Sequence, residues 1–276
     1  MIKHYLKVAF RNLMKYKTQS LVSIIGLAVG FTCFALSALW IRYEMTYDNF
    51  HEGAERIYLV RAHYANEPGT SKFTPYPLMK YLQDKMPEIE AVTAFTAHHV
   101  KFRMEDTEQE IGMIAADSVF MNFFDIQLLK GTVNFLKCDG QEVAITKEFA
   151  KRLFSKEEDA LGKEVEVGRR VCKIGAIVSG WSNHSNIPYN ILAPARHSPR
   201  WGSSNEQLFI RVRERTDIDA FRTKMSTVCI NDIEKESELS DLLITRMSAL
   251  RYSDYVDKAD VVISFSYIFY FSLAGG

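Results

Sequence analysis

The hydrophobic pattern of the chain begins with one long apolar segment near the N-terminus. Leu21 to Ile41 comprises 21 residues without a charged residue, His, Asn, Gln or Pro. At about 1.5 Å per residue, a helix of this length spans roughly 30 Å, the thickness of the hydrocarbon core of a bilayer. The pattern therefore predicts a transmembrane helix over 21–41. A cleavable signal peptide is the alternative, but this segment is longer than usual for one, and the small-residue site near Ala35 and Ser37 is poor.

The residues on either side of this segment predict its orientation. No acidic residue occurs before Glu44, and Arg42, Glu44 and Asp48 carry mixed charges after the segment. The five basic residues ahead of it are Lys3, Lys7, Arg11, Lys15 and Lys17. Because basic residues concentrate on the cytoplasmic side of a membrane helix, we expect a cytoplasmic N-terminus and an external main domain.

The first 20 residues combine these basic residues with apolar residues at helical spacing. They predict an amphipathic basic helix over 1–20 that lies along the inner membrane surface, in contact with lipid. The alternative is that 1–20 simply continues the transmembrane helix into the cytoplasm.

The last 16 residues, 261–276, form a second uncharged segment rich in Val, Ile, Phe and Tyr. Sixteen residues are slightly too few to cross a bilayer comfortably. We interpret them as the start of a second transmembrane helix in a chain that is truncated at its C-terminus. The alternative is a hydrophobic strand or core helix at the C-terminus.

The region between the two spans, 42–260, predicts an α+β domain in which one subdomain interrupts another. The first part, 42–110, reads as a strand over 56–62, a helix that Thr74 caps and Pro87 ends, and a strand over 89–95. The last part, 200–260, repeats this order with strands over 208–212 and 242–247 around a helix that carries Phe221 and Met225. The insert, 111–199, predicts short strands over 142–146, 164–167 and 171–178 around a short helix near Phe149.

The distribution of charge argues against nucleic-acid binding. The chain has 34 basic and 34 acidic residues, and the five basic residues at the N-terminus leave 29 against 34 in the rest, a net charge of −5. An acidic main domain argues against a nucleic-acid partner, because phosphate binding needs a concentrated basic surface.

The candidate catalytic and metal-binding motifs are weak. Gly162-Lys163 lacks the upstream glycine and the following Ser or Thr of a phosphate-binding loop. Adjacent His98 and His99 would point to opposite faces of a strand, which disfavours joint binding of a metal. Cys138, Cys172 and Cys229 could form at most one disulfide, and the sequence does not select the pair. We therefore expect no catalytic, cofactor-binding or metal-binding site and no enzyme activity.

Gly26 and Gly30 are four residues apart and lie on one face of the predicted transmembrane helix. Small residues at this spacing allow a second helix to approach closely. They are the candidate helix-packing residues, although glycine is common in transmembrane helices for other reasons.

Several segments together resemble a known family. They are the opening Lys7-Val8-Ala9-Phe10-Arg11-Asn12-Leu13, the Gly26-Leu27-Ala28-Val29-Gly30 segment, Tyr43-Glu44-x2-Tyr47-Asp48-x-Phe50-His51, Glu55-Arg56-Ile57-Tyr58, Leu129-Lys130-Gly131, Val143-Ala144-Ile145-Thr146 with Ala150 and Phe154, Leu161-Gly162-Lys163, and Asn186 to Pro194. In order and spacing they resemble the MacB/FtsX-like ABC transporter permeases of the Bacteroidetes type. No single motif is diagnostic, but the resemblance extends over essentially the whole chain.

The resemblance implies a permease in the cell inner membrane with a periplasmic MacB-like core domain, in which a porter-like subdomain is interrupted by a β-rich one. It also implies a partner ATPase that contacts regions absent from this chain, a homodimer or paired permease, and a periplasmic adaptor. ATP hydrolysis by the partner would move the periplasmic domain for export or mechanotransmission. The alternative from the organisation alone is a membrane receptor with an external sensor domain between two transmembrane helices.

Overall fold

The computed structural model describes residues 4, 5, 11, 13–65, 68–104, 107–137, 141–181, 184–232 and 238–252. The chain divides into two compact units, and the second unit begins at Tyr47. Residues 1–3, 6–10 and 12 of the predicted basic helix lie outside the described residues. The whole of the predicted second span, 261–276, does so as well.

The first unit contains helix α1, Lys17–Glu44, which includes the entire predicted span 21–41. Its 28 residues are long and apolar enough to cross a membrane, and apolar side chains are exposed around it. The hydroxyl of Thr32 donates to the carbonyl of Ala28 at 2.8 Å, so this polar group is paired within the helix. The apolar surface on all sides is what a helix surrounded by lipid requires.

The second unit is a mixed α+β domain. Its helices are α2 (Pro77–Lys85), α3 (Ser118–Phe123), α4 (Lys147–Leu153) and α5 (Ile218–Asp232), with short 3-10 helices over Ala54–Arg56, Val133–Leu136, Glu157–Ala160 and Met247–Tyr252. Its described strands are β1 (Ile57–Tyr64), β2 (Thr70–Ser71), β3 (Thr74–Pro75), β4 (Ile89–Met104), β5 (Thr107–Ala116), β6 (Leu128–Gly131), β7 (Glu142–Thr146), β8 (Glu164–Val167), β9 (Arg170–Val178), β10 (Ile191–Pro194), β11 (Ser204–Val212) and β12 (Leu239–Arg246).

The first subdomain is an antiparallel sheet in the order β12-β1-β11-β4. Helix α2 connects β1 to β4, and the antiparallel strand β11 lies between these two strands. Helix α5 connects β11 to β12, and the antiparallel strand β1 lies between them. Each predicted unit is therefore a split βαβ unit, and together they give the β-α-β-β-α-β order of a ferredoxin-like fold. Leu78 and Leu82 of α2 and Phe221 and Met225 of α5 are buried on one face of this sheet.

The second subdomain is inserted between β4 and β11. Strand β4 pairs with β11 as far as Phe95 and then continues beside β5 as far as Met104. The hydrogen-bonded order β4-β5-β10-β7-β9-β8 returns to β4, because β8 pairs with both β9 and β4. These strands form a closed ring typical of a small β-barrel. The barrel begins within β4, earlier than residue 111, and the boundaries 42–110, 111–199 and 200–260 stay predictions.

Helix α3 connects the cores of the two subdomains. Its Phe120 lies 4.9 Å from Phe95 of β4, and Phe124 lies 6.0 Å from Phe209 of β11, measured between ring centroids. The same buried cluster contains Ala144 and Val178 from barrel strands. The sheet and the barrel therefore share this cluster, and each also has a hydrophobic cluster of its own.

The start of α2 differs from the sequence-based prediction. Thr74 does not cap the helix, because Thr74–Pro75 forms β3 and pairs with β11. The Thr74 hydroxyl lies 3.4 Å from the carbonyl of Glu206, to which it donates. The helix instead begins with Pro77 in its first turn, where a missing backbone N–H has little effect. Its predicted end before Pro87 is confirmed.

Candidate functional site

The second unit begins with an irregular segment, 47–53, which we call the entry segment because it leads into the domain. In the sequence, only Met45 and Thr46 separate it from the end of α1 at Glu44. Asp48 and Gly53 have positive φ angles of 57° and 67°. Asp and Gly tolerate this conformation better than most residues, and it allows the segment to turn sharply before β1.

Asp48 attaches the entry segment to residues 184–186, which lie between β9 and β10. Its carboxylate is fully buried and accepts hydrogen bonds from the Asn186 backbone N–H at 3.2 Å and from Asn186 Nδ2 at 2.6 Å. A hydrogen bond with the Ser185 side chain further supports the carboxylate. The Asp48 backbone N–H donates to the His184 carbonyl at 3.2 Å. The buried carboxylate of Asp48 therefore has hydrogen-bond donors from both Ser185 and Asn186.

Burial has the largest effect on the protonation of Asp48. It raises the pKa of this carboxyl above its ordinary value of 3.8, while the hydrogen bonds from Ser185 and Asn186 act in the opposite direction. The charged form therefore depends on these donors, because a buried carboxylate that loses them has no replacement for water.

Aromatic residues also hold the entry segment in place. The rings of Tyr47 and His184 lie 3.9 Å apart, and the His51 ring lies 5.0 Å from Trp181 at a right angle. His51 also contacts Phe124, 5.1 Å away, at the end of α3. The entry segment is therefore packed against both the loop after β9 and helix α3.

The His51 side chain is uncharged at neutral pH. Burial and the nearby positive charge of Arg211 lower its pKa from 6.5 to about 4. The buried Nε2 atom has no hydrogen-bond partner among the described residues. His51 thus behaves as an aromatic packing residue that resists protonation.

The loop after β9 is held by its own hydrogen bonds. Trp181 Nε1 donates to the Ile187 carbonyl at 2.9 Å, and the Tyr189 hydroxyl donates to the Ser179 carbonyl at 3.0 Å. A Cβ atom on Gly112 of β5 would lie 2.4 Å from the Pro188 carbonyl oxygen. The loop that binds Asp48 therefore lies directly on the barrel, and this close approach requires glycine.

Arg211 connects β11 to the same region. Its guanidinium donates to the Phe123 carbonyl at 2.6 Å and lies 5.0 Å from the centre of the Phe123 ring. A cation at the last carbonyls of a helix is favourable, because those groups carry partial negative charge. Through α3 and Arg211, the residues around the entry segment reach the first subdomain as well as the barrel.

The residues singled out from the sequence lie elsewhere. Gly26 and Gly30 are on α1, and a Cβ atom on either would meet nothing within 4 Å among the described residues. Their role in helix packing stays a prediction. His98 and His99 are exposed neighbours on β4. Cys172 is buried, while Cys138 and the side chain of Cys229 lie outside the described part of the chain.

No motif search identified the entry segment as functional. Tyr47, Asp48, Phe50 and His51 entered the sequence analysis only through the family resemblance. The signal that could have marked these residues is a cluster of polar and aromatic side chains directly after the predicted membrane span. A segment that only tethers the domain would need neither polar nor aromatic residues there.

The chain is similar to a known family of external domains. The family model of the MacB-like periplasmic core domain matches residues 20–228. None of the curated proteins gives a significant match.

Solved structures share the fold at low sequence identity. A domain of a protein described as a permease, from Porphyromonas gingivalis, has a TM-score of 0.58 and 20% identity, covering 71% of this chain and 92% of that chain. The periplasmic region of MacB from Actinobacillus actinomycetemcomitans has a TM-score of 0.50 and 13% identity, covering 72% and 92%. The extracellular domain of YknZ, a noncanonic ABC-type transporter from Gram-positive bacteria, also has 0.50 and 13%, covering 68% and 99%.

Proposed function

Because the chain belongs to the family of proteins with a MacB-like periplasmic core domain, we propose that it acts as the permease subunit of an ABC transporter. The chain itself is not an enzyme in this proposal. A partner ATPase in the cytoplasm hydrolyses ATP, and the resulting movement of the membrane helices displaces the external domain for export or mechanotransmission.

The proposal places α1 in the cell inner membrane, with the N-terminus in the cytoplasm and the main domain in the periplasm. It includes a homodimer or paired permease, in which the Gly26 and Gly30 face of α1 packs against another helix. A periplasmic adaptor is a further partner in the proposed assembly. The five basic residues before α1 and the mixed charges of Arg42, Glu44 and Asp48 after the span support this orientation.

The attachment of the entry segment is the observation that carries the proposal. Two residues in the sequence separate α1 from Tyr47, and Asp48 is then bound to Asn186 by both backbone and side-chain hydrogen bonds. A flexible Gly/Ser linker would absorb displacement of the helix, whereas this short connection transfers it. The receptor alternative makes no use of an ATPase and is not supported by the family match.

Affinity purification of the tagged protein from its native membranes tests the proposal. We expect an ABC-type ATPase to co-purify in fixed stoichiometry, and we expect ATP hydrolysis that is lost when the ATPase is removed. Co-purification of a signalling kinase, with no ATP hydrolysis by an ABC-type subunit, would show that the receptor alternative is correct.

The orientation has its own test. Alkaline phosphatase fused after residue 150 should be active, because it folds in the periplasm, whereas a fluorescent protein that folds only in the cytoplasm should be dark at the same position. The reverse pattern would contradict both the orientation and the proposed function.

A further inference from the structure

A cleft lies between the entry segment, the residues after α3 and the residues after β9, all within the second unit. We call it the entry cleft. Its volume is about 420 Å³, which is within the range of small-molecule sites. The lining residues with open surface that the binding argument uses are Phe50, Glu52, Asp125 and Trp181, whereas Phe124 also lines the cleft but is only 6% exposed.

Aromatic rings form part of the wall of this cleft. Phe50 is 42% exposed, so much of its ring is available for contact. The indole N–H of Trp181 is already bonded to the Ile187 carbonyl at 2.9 Å. The Trp181 ring is partly exposed and packs edge-to-face with His51, Phe124 and Tyr189, so its open part offers apolar surface and no free donor. Rings of this kind attract cations electrostatically as well as apolar groups.

The charged residues of the cleft are both acidic. Glu52 and Asp125 are exposed, and neither has an ion-pair partner among the described residues. Among the described residues, no Lys or Arg lines the cleft, and His51, which does line it, is uncharged at neutral pH because burial and the nearby charge of Arg211 lower its pKa to about 4. The site thus combines aromatic walls with negative charge, a combination that favours a cation with an apolar body and disfavours an anion.

We propose that the entry cleft binds an amphipathic organic cation, with its charged group near Glu52 and Asp125 and its apolar part against Phe50 and the open part of Trp181. This site goes beyond the proposed permease function and does not depend on it. Such a ligand would contact the entry segment and the loop after β9 together.

Binding can be measured on the full chain in phosphatidylcholine nanodiscs, without any ATPase. In a variant with Trp40→Phe and Trp201→Phe, Trp181 is the remaining tryptophan of the three in the chain and reports on the cleft. The probes are benzyltriethylammonium and phenylmethanesulfonate, which have a similar apolar body and opposite charge. We expect a saturable change in Trp181 fluorescence with the cation and none with the anion.

Neutralising the two acids tests their role. The pair Glu52→Gln and Asp125→Asn should weaken binding of the cation about tenfold, equivalent to roughly 1.4 kcal/mol. Asn tolerates the positive φ of 53° at position 125, so the fold should be preserved. The matched control is the pair Asp159→Asn and Glu164→Gln, which removes the same charge at exposed positions outside the cleft.

Three results would overturn the inference: equal binding of the anion, equal weakening in the control pair, or no saturable response to the cation up to about 10 mM, where weak binding is still detectable. Unchanged thermal unfolding of the variants would confirm that their folds are comparable. Since the assay contains no ATPase, none of these results bears on the permease role.

Discussion

Burial shifts the pKa values of two side chains of the entry segment, Asp48 and His51, and both depend on residues far away in the sequence. The Asp48 carboxylate bonds to residues 138 positions later in the chain. His51 packs against Phe124 and Trp181. Asp48 thus attaches the entry segment by hydrogen bonds, and His51 attaches it by packing.

Replacing Asp48 with Ala should lower the free energy of unfolding by about 2–3 kcal/mol, because the part-buried N–H groups of Asn186 would lose their acceptor. Asp48→Asn should cost less, since Asn retains an acceptor and tolerates the positive φ. Thermal unfolding followed by tryptophan fluorescence would measure both effects. Asp159→Ala, at an exposed position, is the control, and an equal loss there would show that Asp48 is not an attachment point.

Acidification should destabilise the domain through His51. Its pKa is lowered from 6.5 in the unfolded chain to about 4 in the folded one. The unfolded chain therefore binds an extra proton between these values, and a contribution of up to about 3 kcal/mol, present above pH 6.5, is lost as pH falls toward 4. The raised pKa of Asp48 acts in the opposite direction, because its buried charge is neutralised first in the folded state.

The variant His51→Phe isolates this contribution. It retains the aromatic packing but cannot take up a proton, so its melting temperature should fall less than that of the wild type between pH 6.5 and pH 4. Parallel pH profiles for the two proteins would mean that His51 is accessible to protons in the folded state.

At the scale of elements, sequence patterns succeeded where local information was sufficient. The strands at Glu142–Thr146 and Glu164–Val167 have the predicted bounds. The cap at Thr74 was wrong because pairing with β11, more than 100 residues later, competes with helix initiation. Helix α3 was missed because six residues are too few to show helical periodicity.

The candidate site was even less accessible from sequence. Pairing of Asp48 with Asn186 is a contact between two irregular segments, and such segments have no hydrophobic period. The family resemblance marked both segments but gave neither a role. Their contact becomes evident only when the barrel brings the loop after β9 to the start of the domain.

The contact between β5 and this loop gives a test at the element scale. Gly112→Ala would place a methyl group 2.4 Å from the Pro188 carbonyl oxygen, so the loop must move. We expect a loss of about 1–3 kcal/mol, typical of overpacking, together with faster amide hydrogen exchange in residues 184–190. Gly202→Ala is the matched control because nothing lies within 4 Å of its Cβ position. Identical exchange in both variants would contradict the proposed support of the loop.

For α1, the prediction concerns Gly26 and Gly30. Replacing both with Leu in the assembled permease should abolish transport while membrane insertion and the external fold remain intact, because bulky side chains would separate the packed helices. Transport assays at matched protein levels would measure this. Undiminished transport would show that this face of α1 contacts lipid only.

At the scale of the whole molecule, a predicted membrane helix is followed by a domain whose two subdomains share one hydrophobic cluster and keep one each of their own. Helix α3 and Arg211 connect the first sheet to the barrel, and the entry segment is bound beside them. The family match supports this domain as the external part of a permease. The central claim is that motion of α1 is carried into the domain through the entry segment.

Electron–electron distance measurements between spin labels test this claim most directly. After replacement of the four native cysteines with alanine, nitroxides at Leu39 of α1 and at exposed Arg169 between β8 and β9 would report the separation of helix and barrel in the complex with its ATPase. The account predicts a shift in this distance between the nucleotide-free and ATP-trapped states, and a loss or broadening of the shift in Asp48→Ala. The same distance distribution in both states, in a complex that hydrolyses ATP, would contradict it.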